Sequence, residues 1–186
     1  MNLQDITYDN KAAMNENASI PAINKVQASD MNQIKEVINN NNSEIKNKSA
    51  ISIALVGNPF SYTGNREQKL TLNTATNIKG SNLSITNDGG VLIGSNIKTV
   101  LVSGQVYYFT GSNHTSGKDA IVKRNNDTVM SSNSLVNSNY LKVLAGTTIV
   151  NVQEGDIIYL YSKNGSTGNC QIGAGDSNTY LTVMEI

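Results

Sequence analysis

From Ala50 to the C-terminus the apolar residues of this 186-residue chain recur at every second position, in short runs. Ile51, Ile53 and Leu55 alternate with small residues, and Leu70 with Leu72 and Leu83 with Ile85 continue the pattern. Further runs follow at Val91 to Ile93, Ile97 to Val102, Val106 to Thr110, Ala120 to Lys123 and Val129 to Ser131. Tyr140 to Leu144, Thr148 to Val152, Ile157 to Tyr161 and Tyr180 to Met184 complete the series. A period of two puts one face of a strand on a core and the other in water. About ten such strands, with Gly, Asn and Ser between them and no helical pattern, predict an antiparallel β-sandwich or jelly roll over residues 50–186. Two connections read as hairpins. One is Asn87-Asp88-Gly89-Gly90, where Asp-Gly suits a tight turn with both central residues at positive φ, and the other is Ser103-Gly104-Gln105.

Two of these runs are apolar on both faces: Val106-Tyr107-Tyr108-Phe109 and Ile157-Ile158-Tyr159-Leu160-Tyr161. A sandwich strand normally keeps one face wet, so apolar residues on both sides call for a second dry contact, and a subunit interface is the economical source. Tyr107, Phe109, Tyr159 and Tyr161 are therefore candidate interface aromatics. The plainer alternative is surface tyrosine with a hydrated hydroxyl.

Helical periodicity is confined to Ser29 to Lys48. Met31, Ile34, Ile38 and Ile45, with Asn41 continuing the alternation of three and four, have the a/d spacing of a coiled coil. Val37 falls beside that seam and widens it, which favours more than two strands. Asn41 would be a polar core layer that fixes register at a cost in stability, and Ser29 or Asp30 can cap the start. The Asn39 to Asn42 run is poor helix material. A short trimeric coiled coil over residues 29–49 is the expectation, against an amphipathic helix packed on its own domain. Residues 1–28 lack a sustained apolar period; Tyr8, Ile20, Pro21, Ile23 and Val26 are dispersed anchors of the kind an extended peptide lays along a partner, and the plainer alternative is a floppy terminus.

Two resemblances sit on these segments. Asn24-Lys25-Val26-Gln27-Ala28-Ser29-Asp30-Met31-Asn32-Gln33-Ile34-Lys35, with Val37 and the Asn39 to Asn42 tract, resembles a segment near the N-termini of phage fibre and tail-associated proteins. There it joins a virion-attachment peptide to a distal trimeric domain. Val102 to Phe109, Val152 to Leu160 and Tyr180 to Met184 resemble strands of C1q/TNF-like jelly rolls, whose ten-stranded sandwiches associate as trimers that bury aromatic residues about a threefold axis. The customary tryptophans of that family are missing here.

Composition narrows the chemistry. With 14 basic and 14 acidic residues and no basic cluster, the chain lacks the positive field that a nucleic acid backbone requires. Cys170 is the single cysteine, so no intrachain disulfide can form. Met1 to Tyr8 has neither a basic n-region nor an apolar core, so no secretory signal is expected, and no apolar run is long enough for membrane insertion. His114, the sole histidine, falls in a loop by composition, and one His with one Cys does not make a zinc site. Asp119, Asp127, Asp156 and Asp176 sit near turns but form no calcium loop. No catalytic residue, cofactor site or metal site is expected.

The resulting expectation is a non-enzymatic phage structural protein. Residues 1–28 would anchor it to other virion proteins, at the capsid, portal, collar or baseplate, and residues 29–49 would hold a homotrimer. The β knob of residues 50–186 would contact the host surface or its glycans as a head fibre or tail spike. The polar loops Gly111 to Lys118, Asn125 to Asp127, Ser131 to Asn139 and Lys163 to Asn169 carry the amides and hydroxyls suited to sugars. The protein would be assembled in the host cytoplasm and exposed on the particle. The alternatives are a capsid or baseplate decoration protein without a receptor, and a glycan-degrading virion enzyme on the same frame.

Overall fold

The computed structural model describes residues 28–109, 117–134 and 140–186, which divide into two compact units at Lys48/Ser49. The first unit contributes helix α1 (Ala28–Asn47). Its predicted seam residues Met31, Ile34, Val37, Ile38 and Ile45 are all exposed, from 39% to 57%, and Asn41 is exposed with them. The helix starts one residue before the expected cap, so Ser29 and Asp30 fall inside the first turn. Asp30 there faces the positive end of the helix dipole, and Lys46 the negative end. The asparagine run does not break the helix, and Asn47 Nδ2 donates to Ser43 Oγ one turn back at 3.2 Å. The expected anchors Tyr8, Ile20, Pro21, Ile23 and Val26 lie outside the described residues.

The second unit is an antiparallel sandwich with thirteen strands among the described residues. In chain order they are β1 (Ala50–Ala54), β2 (Phe60–Thr63), β3 (Glu67–Lys69), β4 (Thr74–Lys79), β5 (Leu83–Ile85), β6 (Val91–Ile93) and β7 (Thr99–Phe109). Then come β8 (Lys118–Arg124), β9 (Asp127–Ser134), β10 (Tyr140–Asn151), β11 (Ile157–Asn164), β12 (Asn169–Ile172) and β13 (Tyr180–Glu185). The front sheet runs β4-β1-β13-β7-β10, with β12 and then β2 beside the far end of β7. The back sheet runs β5-β6-β11-β8-β9, with β3 also on β11. Sequence neighbours repeatedly fall in different sheets, which is the crossed connectivity of a jelly roll.

Alternation places the core between the sheets. Ile51, Ile53, Val100, Val102, Val106, Tyr108, Leu181 and Val183 point in from the front, and Val91, Ile93, Val122, Ile158 and Leu160 meet them from the back. Leu70 and Leu72, expected on a strand, are core residues of the connection between β3 and β4. The chain enters the sandwich at fully buried Ser49, whose N–H donates to Glu185 Oε2 at 2.9 Å and whose carbonyl accepts from Glu185 N–H at 2.8 Å.

Two hairpin expectations need correction. Ser103-Gly104-Gln105 is no turn: β7 runs straight through it and pairs with β10 from Asn151↔Thr99 to Tyr140↔Phe109. The two segments read as Tyr140 to Leu144 and Thr148 to Val152 are likewise one strand, bulged between Leu144 and Gly146, where Gly146 takes φ +111°. At the β5–β6 turn only Gly89 has positive φ, +86°, while Asp88 does not. Thr86 accepts from Gly89 N–H at 3.1 Å, so the loop is a hydrogen-bonded turn closed by a left-handed glycine.

Candidate interaction face

The register fixes what each sheet shows to the outside. On the front sheet the outward positions of β1, β13, β7 and β10 line up in rows: Ala54, Tyr180, Gln105 and Leu144; then Ser52, Thr182, Ser103 and Thr147; then Ala50, Met184, Leu101 and Ile149. Small residues occupy the middle of the face, and large apolar ones flank them. Leu144 is 56% exposed, Ile149 62% and Met184 43%. The charged side chains that register places on this face are Lys142 and, at the β4 margin, Lys79.

Above these rows lies an aromatic strip. Tyr107 and Phe109 stand at alternate positions on β7 with ring centroids 6.2 Å apart and planes 17° apart. Tyr140 of β10 lies beside Tyr107 at 6.3 Å and 10°, and is 60% exposed. Lys142 Nζ sits 5.9 Å from the centroid of Tyr107. Tyr140 was not singled out from the sequence; it becomes visible only through the pairing of β10 with β7, which sets it opposite Phe109.

Tyr159 and Tyr161 stand on the outer face of the back sheet, among charges. Lys69 Nζ lies 4.6 Å over Tyr159 and Lys123 Nζ 4.8 Å over Tyr161. The same lysines pair with Asp88 Oδ2 and Glu67 Oε2, each at 2.6 Å, and Lys163 lies 3.9 Å from Asp119. Tyr159 Oη donates to Asp88 Oδ2 at 3.0 Å. That carboxylate, held first by Lys69 and then by Thr86, has its pKa pulled well below the usual range. The four candidate interface aromatics thus lie on two opposite faces, one mostly apolar with Lys142 near Tyr107, the other lined by lysine–carboxylate pairs that cover its rings.

The polar loops separate in space as well. Asn125 to Asp127 closes the β8–β9 turn at the end where the chain enters at Ser49, with Asn125 at φ +53°. There Arg124, Asn125, Asn151, Val152, Gln153 and Asp156 line an open cleft of about 360 Å³. Its floor is a closed network. Asp156 accepts from Asn125 Nδ2 at 2.8 Å and from Gln153 N–H at 3.0 Å, and Arg124 Nη1 donates to Asn151 O at 2.8 Å. The connection from Lys163 to Asn169 lies at the opposite end, while strand β9 continues through Ser134 where a loop was expected. His114 lies outside the described residues. Among the described residues no three His, Cys, Asp or Glu side chains gather as metal ligands, and no helix is long and apolar enough to cross a membrane.

No protein-family model matches the chain, and no curated protein matches it by sequence. Solved structures do match. Murine APRIL at pH 5.0 superposes with a TM-score of 0.59 at 16% identity, over 75% of this chain and 99% of its own. The Eiger TNF structure from S. frugiperda superposes with a TM-score of 0.55 at 12% identity, over 74% of this chain and 92% of its own. The sandwich has the fold of a TNF-like jelly roll.

Proposed function

We propose that this chain is a non-enzymatic homotrimeric binding protein of a phage virion, a head fibre or tail spike whose β knob contacts the host surface or its glycans. The observation that carries the trimer is the contrast between the outer faces. Leu144, Ile149, Met184 and Tyr140 stand exposed around a centre of small neutral residues, while the opposite sheet keeps its tyrosines under lysines and carboxylates. Fully burying side chains of this size contributes about 1.5–3 kcal/mol each, so leaving several of them wet in every copy favours self-association. The exposed a/d seam of α1 supports the same stoichiometry, because a helix of this length is marginal in water without partners. The virion assignment rests on the likeness of residues 24–42 to phage fibre segments, with residues 1–28 as the anchor to capsid, portal, collar or baseplate.

Native mass measurement on the full chain tests the trimer: three copies of 19.9 kDa are expected, and a species of one copy at micromolar concentration refutes it. Removal of residues 1–28 is expected to leave the trimer intact and abolish incorporation into particles. Binding of the trimer to host cells supports the receptor role, whereas incorporation into particles with no host binding points to decoration.

A further inference from the structure

The β8–β9 and β10–β11 turns meet at one end of the sandwich and are locked together through Asn125. Its backbone N–H donates to Ile157 O at 2.7 Å, its Oδ1 accepts from the Ile157 N–H at 2.9 Å, and its Nδ2 donates to Asp156 Oδ1 at 2.8 Å. Asp156, only 5% exposed, is held on its other oxygen by the Gln153 N–H. Residues of both turns line the open cleft of about 360 Å³. That volume falls at the lower end of the range for small-molecule sites, about 300–1,000 Å³, but the lining is far more polar than is usual there. Val152 is the one aliphatic residue, beside an arginine, a carboxylate and three amides.

These polar groups keep capacity for a ligand. An ionised carboxylate offers about four acceptor sites, and Asp156 fills two of them. Of the guanidinium donors of Arg124, Nη1 is committed to Asn151 O at 2.8 Å, and Nη2 lies 3.7 Å from Asp127. The side-chain amides of Asn151 and Gln153 hydrogen-bond to no described residue. Acceptor-only, donor-only and two-way groups therefore converge on one short cleft. Adjacent hydroxyls of a sugar ring, each donor and acceptor at once, match such a set. Val152 and the methylene stem of Arg124 add apolar surface for the C–H groups of the ring. The ionised lining residues are one of each sign, and Asp127 adds negative charge beside Arg124, so an anionic sugar meets no net positive field.

We propose that this cleft binds a neutral pyranose. Asp156 accepts from adjacent ring hydroxyls, Arg124 donates, and the Asn151 and Gln153 amides do both. The site rests on the reading of the knob as a host-contacting domain and places that contact at the end where the chain enters the sandwich. Because the two turns are already fixed by protein hydrogen bonds, binding has little backbone to order.

NMR titration of the isotopically labelled full chain tests the site. The neutral probes are methyl glucoside, methyl galactoside, methyl mannoside and N-acetylglucosamine, and the anionic ones are N-acetylneuraminic acid and inorganic phosphate. At least one neutral sugar is expected to shift the amide resonances of residues 124–127 and 151–156, with a Kd of about 1 mM. Gln153→Ala and Asn151→Ala are each expected to weaken that binding roughly five- to tenfold at unchanged melting temperature, and Asp156→Asn more than tenfold. Asp156 also ties the turns together, so the two surface amides carry the test if its variant misfolds. Cleft shifts with the anionic probes alone overturn the neutral class. No cleft shift with any probe, from a trimer that still binds host cells, overturns the site and leaves the receptor role standing. A trimer that binds neither host cells nor any sugar removes both.

Discussion

A phenol drawn out of water must find a partner for its hydroxyl, and three tyrosines, two in the core and Tyr159 half-buried on the outer face of the back sheet, solve that in different ways. Tyr108, fully buried, donates to Asp119 O at 2.6 Å; the Tyr62 hydroxyl accepts from Ser162 Oγ at 3.1 Å; Tyr159 donates to Asp88. Desolvation is the leading cause in each case, and it pushes Tyr62 and Tyr108 well above the ordinary phenol pKa and Tyr159 up to about 12. A fold that prefers the neutral phenol keeps this contribution whole below the unfolded pKa of about 10 and loses it as pH rises through the shifted values. Spectrophotometric titration of the native protein should therefore show these three ionising only above the ordinary phenol range, and denaturant midpoints should fall steeply above about pH 10. A parallel check is available at Cys170, buried beside Tyr62, whose thiol pKa is raised by burial. A thiol reagent should find it only after unfolding. Gly104 shows why some of this was illegible in the sequence. A Cβ there would lie 3.0 Å from Leu160 Cδ1 and 3.2 Å from Val122 Cγ2, so the glycine lets two sheets approach. Local sequence cannot tell a packing glycine from a turn glycine, and Ser103-Gly104-Gln105 has turn composition throughout.

At the scale of the element, the hairpin and the long strands fail or hold for reasons of backbone geometry. The β5–β6 turn was readable from Asp88-Gly89, although its type was not, because the flanking strands and the Thr86 side chain select a left-handed residue at Gly89 alone. Thr86 Oγ1 accepts from Gly90 N–H at 2.8 Å and donates to Asp88 Oδ1 at 2.7 Å. A Cβ on Gly89 would strike the backbone of Thr71 and Leu72, neither of which can move aside as a flexible side chain could. Gly89→Ala adds that collision to the cost of positive φ and should lower stability by about 2–4 kcal/mol, read as a shift in the denaturant midpoint. Gly155→Ala is the control. It has φ +88° but nothing within 4 Å of the added carbon, so about 1 kcal/mol is expected. The helix was legible for the opposite reason: its period of 3.6 persists over the one segment that has it, and the structure begins α1 at Ala28, within a residue of the reading. Strands β2, β3, β4 and β12 were not legible: three are three or four residues long, and Thr-Ala-Thr-Asn-Ile-Lys of β4 has no buried position, so none sets an apolar period.

On the scale of the whole molecule the two sheets divide the surface by charge, which a list of apolar residues along the chain does not disclose. Val106 to Phe109 and Ile157 to Tyr161 look alike as strings, yet pairing places Tyr107 and Phe109 on a mostly apolar face, with only Lys142 near them, and Tyr159 and Tyr161 beneath Lys69 and Lys123, which are held by carboxylates. The difference predicts opposite responses to substitution. Placing carboxylates at Leu144 and Ile149 replaces exposed apolar contacts with charges that would have to be desolvated on association, at a cost of several kcal/mol per interface. The double variant Leu144→Asp/Ile149→Asp is therefore expected to weaken assembly by at least 100-fold and sediment as a single copy that stays folded by circular dichroism, because both side chains lie outside the core, although it melts earlier for want of its partners. Tyr159→Ala with Tyr161→Ala should do the reverse: assembly unchanged, stability lowered by about 1–3 kcal/mol through the lost lysine–ring and hydroxyl contacts. If the back-sheet pair dissociates the protein and the front-sheet pair does not, the interface lies on the side of the lysine–carboxylate pairs, and the apolar face belongs to another partner.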